Sequence, residues 1–152
     1  MQQEFEQFIR SEGLFSKRDH ILLAVSGGVD SVVMCELFHR AGYRFSIAHC
    51  NFGLRGRESA GDEKFVRALA ASVKVSVHVY RPDTAAYVRR KKLSIQMAAR
   101  ELRYAWLEKV RVKNRCRCIA VAHHKDDVLE TWLINFIRGT GIAGLHGILP
   151  QR

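Results

Sequence analysis

The stretch SGGVDS, Ser26 to Ser31, puts two hydroxyls, two adjacent glycines and one carboxylate side by side. Glycines permit positive φ and let a ligand approach the backbone closely. Successive backbone N–H groups at a helix start form an anion site, and Ser26 and Ser31 add hydroxyl donors. The lysine-bearing Walker pattern and GxGxxG are both absent, so this is a phosphate loop of another kind. Gly27, Gly28 and Val29 would offer N–H groups. Asp30 stands where it would repel a phosphate, unless Mg²⁺ lies between them; magnesium commonly takes one or two carboxylates together with phosphate oxygens. The simpler alternative is a tight turn with Asp30 capping the helix.

A second constellation is HHKDDVLET. Asp126 and Glu130 are i, i+4 and Asp127 and Glu130 are i, i+3, within one turn of a helix start. The acids complement the helix dipole, or they hold a cation, either Mg²⁺ or an ammonium group. His123 and His124 supply hydrogen-bonding or proton-transfer groups. Zinc is disfavoured, because neither HExxH nor a cysteine set is present. Gln96, Arg100 and Arg103 fall on one helical stripe, either a solvated basic face or a set of phosphate contacts. Arg138, Gly139 and Gly141 read as ordinary helix termination or as an embrace for pyrophosphate or RNA. Arg89, Arg90, Lys91 and Lys92 form a charge run, a solvated loop or a contact for nucleic-acid phosphates.

Strands and helices must hold these groups. Ile21–Val25, Arg44–His49, Val73–Tyr80 and Cys118–Ala122 read as apolar strands. Helices are expected around Phe5 to Ile9, over Asp30–Arg40, from an N-cap at Ser59, from Ser94 along an Ile95, Ala98, Leu102, Trp106 stripe, and over Asp126–Arg138. Alternating strands and helices, with strands apolar on both faces, predict a parallel α/β sheet of about five strands, Rossmann-like, with helices on both faces. Ligands in such sheets sit beyond the carboxyl ends of the strands.

SGGVDS resembles the signature of the N-type ATP pyrophosphatases. AHCNFGLRGRES, SIQMAARELRYAWLE and AHHKDDVLETWLINFIRGTGIAGLHGI resemble, in order, segments of the tRNA(Ile)-lysidine synthetases within that superfamily. The resemblance implies an enzyme that uses ATP, Mg²⁺ and free lysine to convert the wobble cytidine of an isoleucine tRNA to lysidine. It implies ATP at Ser26 to Ser31 with His49 and Ala48 beside adenine, and Mg²⁺ on Asp30. Asp30, Arg100 and Asp127 would be catalytic; Asp127, Glu130 and His123 would meet lysine. Arg55, Arg103, Arg138 and Gly139 would contact tRNA or phosphate. Phe52 departs from the pattern, which has histidine there, and is free to stack on a base. The whole chain, 1–152, reads as the catalytic domain. GILPQR is an unconvincing domain end, so the chain is expected to be a fragment lacking C-terminal tRNA-binding domains.

Composition agrees with a nucleic-acid partner. Lysine and arginine number 25 against 15 acids, a net charge of +10, which favours polyanions. No apolar run reaches the ~18 residues of a bilayer span, so no membrane role is expected. The start, MQQEFEQFIR, lacks a signal-peptide core. Cys35, Cys50, Cys116 and Cys118 include no CxxC pair, which fits a reduced, cytoplasmic protein. The oligomeric state, a homodimer included, stays open. Two rivals remain: a tRNA-thiolating enzyme using cysteine as sulfur carrier, and a non-catalytic nucleotide- or RNA-binding module.

Overall fold

The computed structural model describes residues 1–54 and 56–123 and the strand backbone of 133–138. Its elements run α1 (Gln2–Ser11), β1 (His20–Ala24), α2 (Val29–Arg40), β2 (Arg44–Cys50), α3 (Arg57–Ser72), β3 (Val77–Tyr80), α4 (Thr84–Lys91), α5 (Ile95–Lys113), β4 (Cys118–His123) and β5 (Leu133–Arg138). The sheet order is β3-β2-β1-β4-β5. The first four strands in that order are mutually parallel, as expected.

Both faces of the sheet are covered, which explains the unbroken apolar run Ile21 to Val25 at β1; β2 carries Ser46 and His49 buried among its apolar residues. On one face, Ile21, Leu23 and Ile47 pack with Met34 and Phe38 of α2, Val66 of α3 and Ile9 of α1. Leu22, Ala48 and Ile119 point the other way, under Leu107 and Val110 of α5. Phe38 is fully buried and anchors an aromatic group with Phe5 at 5.2 Å and Phe15 at 5.6 Å between ring centroids. The helices between β1, β2 and β3 therefore lie on one face, and α5, leading to β4, lies on the other.

Several expectations are corrected. Ser59 lies inside α3, whose N-cap is Gly56 at φ +53°. β3 starts later than Val73, because Val73 and Lys74 close α3 (Lys74 at φ +56°) and Val75 N–H donates back to Ala70 O. The charge run Arg89–Lys92 is not a loop. It ends α4, a helix whose N-cap Asp83 accepts from Ala86 N and whose C-cap Lys92 is left-handed; its apolar residues, Ala85 to Val88, run consecutively and show no helical spacing. On α5, Ser94 is the N-cap as predicted, accepting from Met97 N, but the buried stripe is Ala98, Ala99, Leu107 and Val110, and Ile95 is exposed. The helix expected over Asp126–Arg138 gives way at 133–138 to β5, antiparallel to β4 with Cys118 opposite Arg138 and His123 opposite Leu133. Leu-Ile-Asn-Phe-Ile is rich in residues with strand preference, and an open β4 edge favours pairing. Antiparallel edge strands on parallel sheets are common.

Candidate active site

The loop between β1 and α2 closes on itself through its two serines. Ser31 is buried, and its hydroxyl donates to Gly28 O at 2.8 Å. That donation uses its proton, so Ser26 must be the donor in the 3.2 Å contact between the two hydroxyls. Ser26 Oγ in turn accepts from Gly28 N at 3.2 Å, and Ser31 Oγ accepts from Gly27 N at 3.3 Å. The bonds form a ring that leaves and re-enters the same residue, Gly28, and fixes the loop before any ligand arrives. Gly27 sits at φ +99°, a region that disfavours side chains, and a Cβ there would lie 3.4 Å from Asp62 Cβ.

Gly28 is the N-cap of α2, and no side chain caps the helix. The first-turn N–H groups thus face outward at the positive end of the helix dipole, as an anion site requires. Asp30 falls in the first turn and not at the cap, which removes the simple capping alternative.

The loop forms one end of a cleft of about 580 Å³ at the carboxyl edge of the sheet, of a size suited to a small ligand. Asp62 and Ser59 of α3 wall it on one side; Gln96, Arg100 and Arg103 of α5 wall it on the other, with His49 and Cys50 beneath. The predicted Gln96, Arg100, Arg103 stripe is therefore brought into one cavity with Ser26 and His49. Ser59 and Asp62 share a face because they are i, i+3 on α3. Asp62 was missed by sequence reasoning; its spacing from Ser59 was the available signal.

His49 is buried, with Nδ1 at 2.8 Å from Val25 O. A carbonyl only accepts, so Nδ1 carries a proton and donates it to Val25 O. Nε2 is itself buried without a hydrogen-bond partner among the described residues. Phe52, expected to be available to a base, lies under the Arg103 guanidinium at 5.4 Å, within cation–π range.

Glu63, the neighbour of Asp62, was also missed. It is buried and accepts from Arg81 Nε at 2.8 Å, Asn51 Nδ2 at 3.0 Å and Arg67 Nε at 3.0 Å. Arg81 first, and then Asn51 and Arg67, hold its carboxyl down at about 2, against the opposing effect of burial. Asn51 Oδ1 also accepts from Gly53 N at 3.0 Å. Glu63 thus ties the chain after β2 and the exit of β3 to α3. Burial pushes the Cys50 thiol up to about 12 and moves Cys116 upward as well.

Asp126, Asp127, Glu130, His124, Arg55 and Gly139 lie outside the described residues. The backbone places His123 at the end of β4 and Arg138 at the end of β5, not at a helix terminus. β4 pairs β1 with Ala24 opposite Val121, so the chain leaves β4 beside the strand end that feeds Ser26. That is the reversal of strand order at which parallel α/β sheets bind ligands. Among the described residues, no group of three or more His, Cys, Asp or Glu is placed to hold a metal, and no helix is long and apolar enough to cross a membrane.

A doubly covered parallel sheet with an uncapped glycine loop over its central strand defines an α/β phosphate-binding domain. The family model of the PP-loop domain matches residues 1–152, and the chain belongs to that family. It is 50% identical over 151 residues to the tRNA(Ile)-lysidine synthase of Bacteroides thetaiotaomicron, covering 99% of this chain and 35% of that protein. The corresponding protein of Parabacteroides distasonis is 47% identical over 144 residues, 95% of this chain and 33% of that protein. The chain thus spans about a third of the length of these curated relatives. An NH3-dependent NAD synthetase from Campylobacter jejuni superposes with a TM-score of 0.63 at 15% identity, over 78% of this chain and 53% of that one. An NMN synthetase from Francisella tularensis does so at 0.59, with the same identity and coverage. These two likenesses establish the fold.

Proposed function

We propose that this chain is the catalytic domain of an ATP-dependent ligase that adenylates the wobble cytidine of tRNA(Ile) and joins lysine to its C2. The single observation that carries this reading is the shared cleft: Ser26 at the start of the serine-glycine loop, the Arg100 and Arg103 stripe and the end of β2 line one cavity. The two tRNA(Ile)-lysidine synthases described above support the substrate assignment. In the longer protein, further domains would hold the rest of the tRNA.

The triphosphate lies over the β1–α2 loop, its oxygens meeting the N–H groups of the α2 first turn. The cytidine C2 oxygen attacks the α-phosphate and pyrophosphate leaves; Arg100 offsets the charge that develops there. The lysine ε-amine, having given up a proton to a carboxylate or histidine, then attacks C2, and AMP departs. Asp127, Glu130 and His123 are the candidates for holding that amine. The protein contributes mainly placement and charge neutralisation.

Magnesium suits the donors present at the loop. Asp30 and Asp62 carboxylates and the Ser26 and Ser31 hydroxyls are hard oxygen groups of the type it prefers, and Asp30 is its principal candidate ligand. When bound, it would neutralise phosphate charge and favour departure of pyrophosphate.

Cys50, the cysteine that lines the cleft, gives no support to the thiolation alternative, since a thiol held near 12 is a poor nucleophile at neutral pH. The deciding assay follows pyrophosphate release with isoleucine tRNA present, with and without lysine. Release that requires lysine is expected. Equal release with any amino acid discards the lysine assignment, and ATP bound without turnover by the full-length protein favours a binding module.

A further inference from the structure

α5 divides two cavities. Its Arg100 and Arg103 line the cleft already described, while Glu101, Leu102, Trp106 and Lys109 line a second cavity of about 540 Å³ against α4. The partition follows from helix geometry, since residues one apart on a helix point about 100° apart. The second cavity is aromatic and cationic together. Tyr80 and Trp106 lie parallel with centroids 5.1 Å apart and planes 12° apart. Arg90 reaches over the Tyr87 ring at 5.3 Å.

The two acids in this cavity already have partners. Asp83 accepts from Ala86 N as the α4 cap, and Glu101 accepts from the Tyr87 hydroxyl at 2.9 Å. Arg90 and Lys109 stand in the same cavity, and α4 ends beside it on Arg89, Arg90 and Lys91. Flat π surfaces combined with cations are the chemistry that holds single-stranded nucleic acid, bases stacking while phosphates meet the charges. The overall charge of +10 points to the same kind of partner.

We propose that the cavity between α4 and α5 seats an unpaired nucleotide of the RNA substrate, near the one whose base enters the first cleft, with Arg90 and Lys109 on its phosphates. This rests on the RNA-modifying reading above and adds a second, non-reacting subsite across α5. Its role is to set which nucleotide is presented to the loop, so that binding away from the reacting base orients it.

The test titrates an unmodified anticodon stem-loop of the isoleucine tRNA into the wild-type chain and into Arg90→Glu and Lys109→Glu. Each variant is expected to bind the stem-loop about tenfold more weakly at low salt, with the slope of log affinity against log salt reduced by about one. ATP affinity and melting temperature should be unchanged. Occupancy is read separately. Trp106 and Trp132 are the two tryptophans, so in a Trp132→Phe background Trp106 alone reports, and the stem-loop should quench it while ATP does not. Variants that bind RNA like the wild type, or tight binding that leaves Trp106 emission unchanged, overturn the second subsite alone. A wild-type chain that binds no stem-loop at low salt overturns the RNA reading itself, and this inference with it.

Discussion

Replacing Glu63 by glutamine should destabilise the protein in a way that depends on pH. The carboxyl lies at about 2 in the folded chain, against an ordinary 4.5. At about 1.4 kcal/mol per pH unit the full difference is on the order of 3 kcal/mol. The Arg67 and Arg81 side chains are 50% and 67% exposed, so water screens them and they rehydrate when the acid is lost. That reduces the expected cost to about 1–2 kcal/mol at neutral pH, below the 3–5 kcal/mol of breaking a fully buried pair. The sign follows from the depressed value: the contribution is complete above pH 4.5 and is lost as the pH falls from there toward 2. Urea unfolding of wild type and Glu63→Gln at steps from pH 7 to pH 3 measures it. The difference between them should hold steady down to about pH 5 and then shrink. A difference that stays constant to pH 3, or none at pH 7, would show that the carboxylate charge does not hold this clamp.

Other substitutions read other parts of the argument. Gly27→Ala places a Cβ at φ +99° and 3.4 Å from Asp62; about 1–2 kcal/mol of backbone strain is expected, with weakened ATP binding by calorimetry. Ser31→Ala opens the serine ring and takes the hydroxyl acceptor from Gly27 N, while Gly28 O keeps Val32 N; this should cost about 1 kcal/mol in denaturant melts and loosen the loop for ATP. Phe38→Ala, at the centre of the aromatic group, should cost about 3–5 kcal/mol by the same melts. Cys50, its thiol held near 12, should alkylate at pH 8 at least tenfold more slowly than a free thiol with its ordinary value; rapid labelling would return the sulfur-carrier alternative to contention.

The loop and the strands that carry it were legible because their signals are local. SGGVDS carries its glycines and its hydroxyls in six letters, and β1 and β4 are apolar runs of strand length with both faces covered. The Gln96, Arg100, Arg103 stripe was legible for the same reason, being set by helical spacing alone. What escaped depends on partners distant in sequence. Glu63 looks like any acid on a charged helix until Arg81, eighteen residues later, is folded against it. Phe52 reads as a free aromatic, yet Arg103 arrives from the opposite face of the sheet to cover it. α4 was invisible because its apolar residues run consecutively from Ala85 to Val88 without helical spacing, its start resting on an Asp83 cap that hydrophobic periodicity does not register. β5 was read as a helix because apolar residues spaced for a helix also fit a strand once a neighbouring edge offers hydrogen bonds.

The adjacency of Asp62 and Glu63 explains how a cleft between two helices on opposite faces of a sheet keeps its shape. Successive helical residues point about 100° apart, so one can face the cleft while the next faces the protein. Asp62 stands against Gly27 in the phosphate loop; Glu63 is fastened to Asn51 after β2 and to Arg81 after β3. The clamp therefore fixes the rotation and height of the α3 first turns, and through Asp62 it fixes the wall that the loop packs against. The α5 wall is held by contacts of another kind. Ser94 caps its start, and Arg103 crosses to stack on Phe52 after β2. On this account the α3 side of the cleft is set by a buried carboxylate clamp, and the α5 side by core packing and a stacked cation.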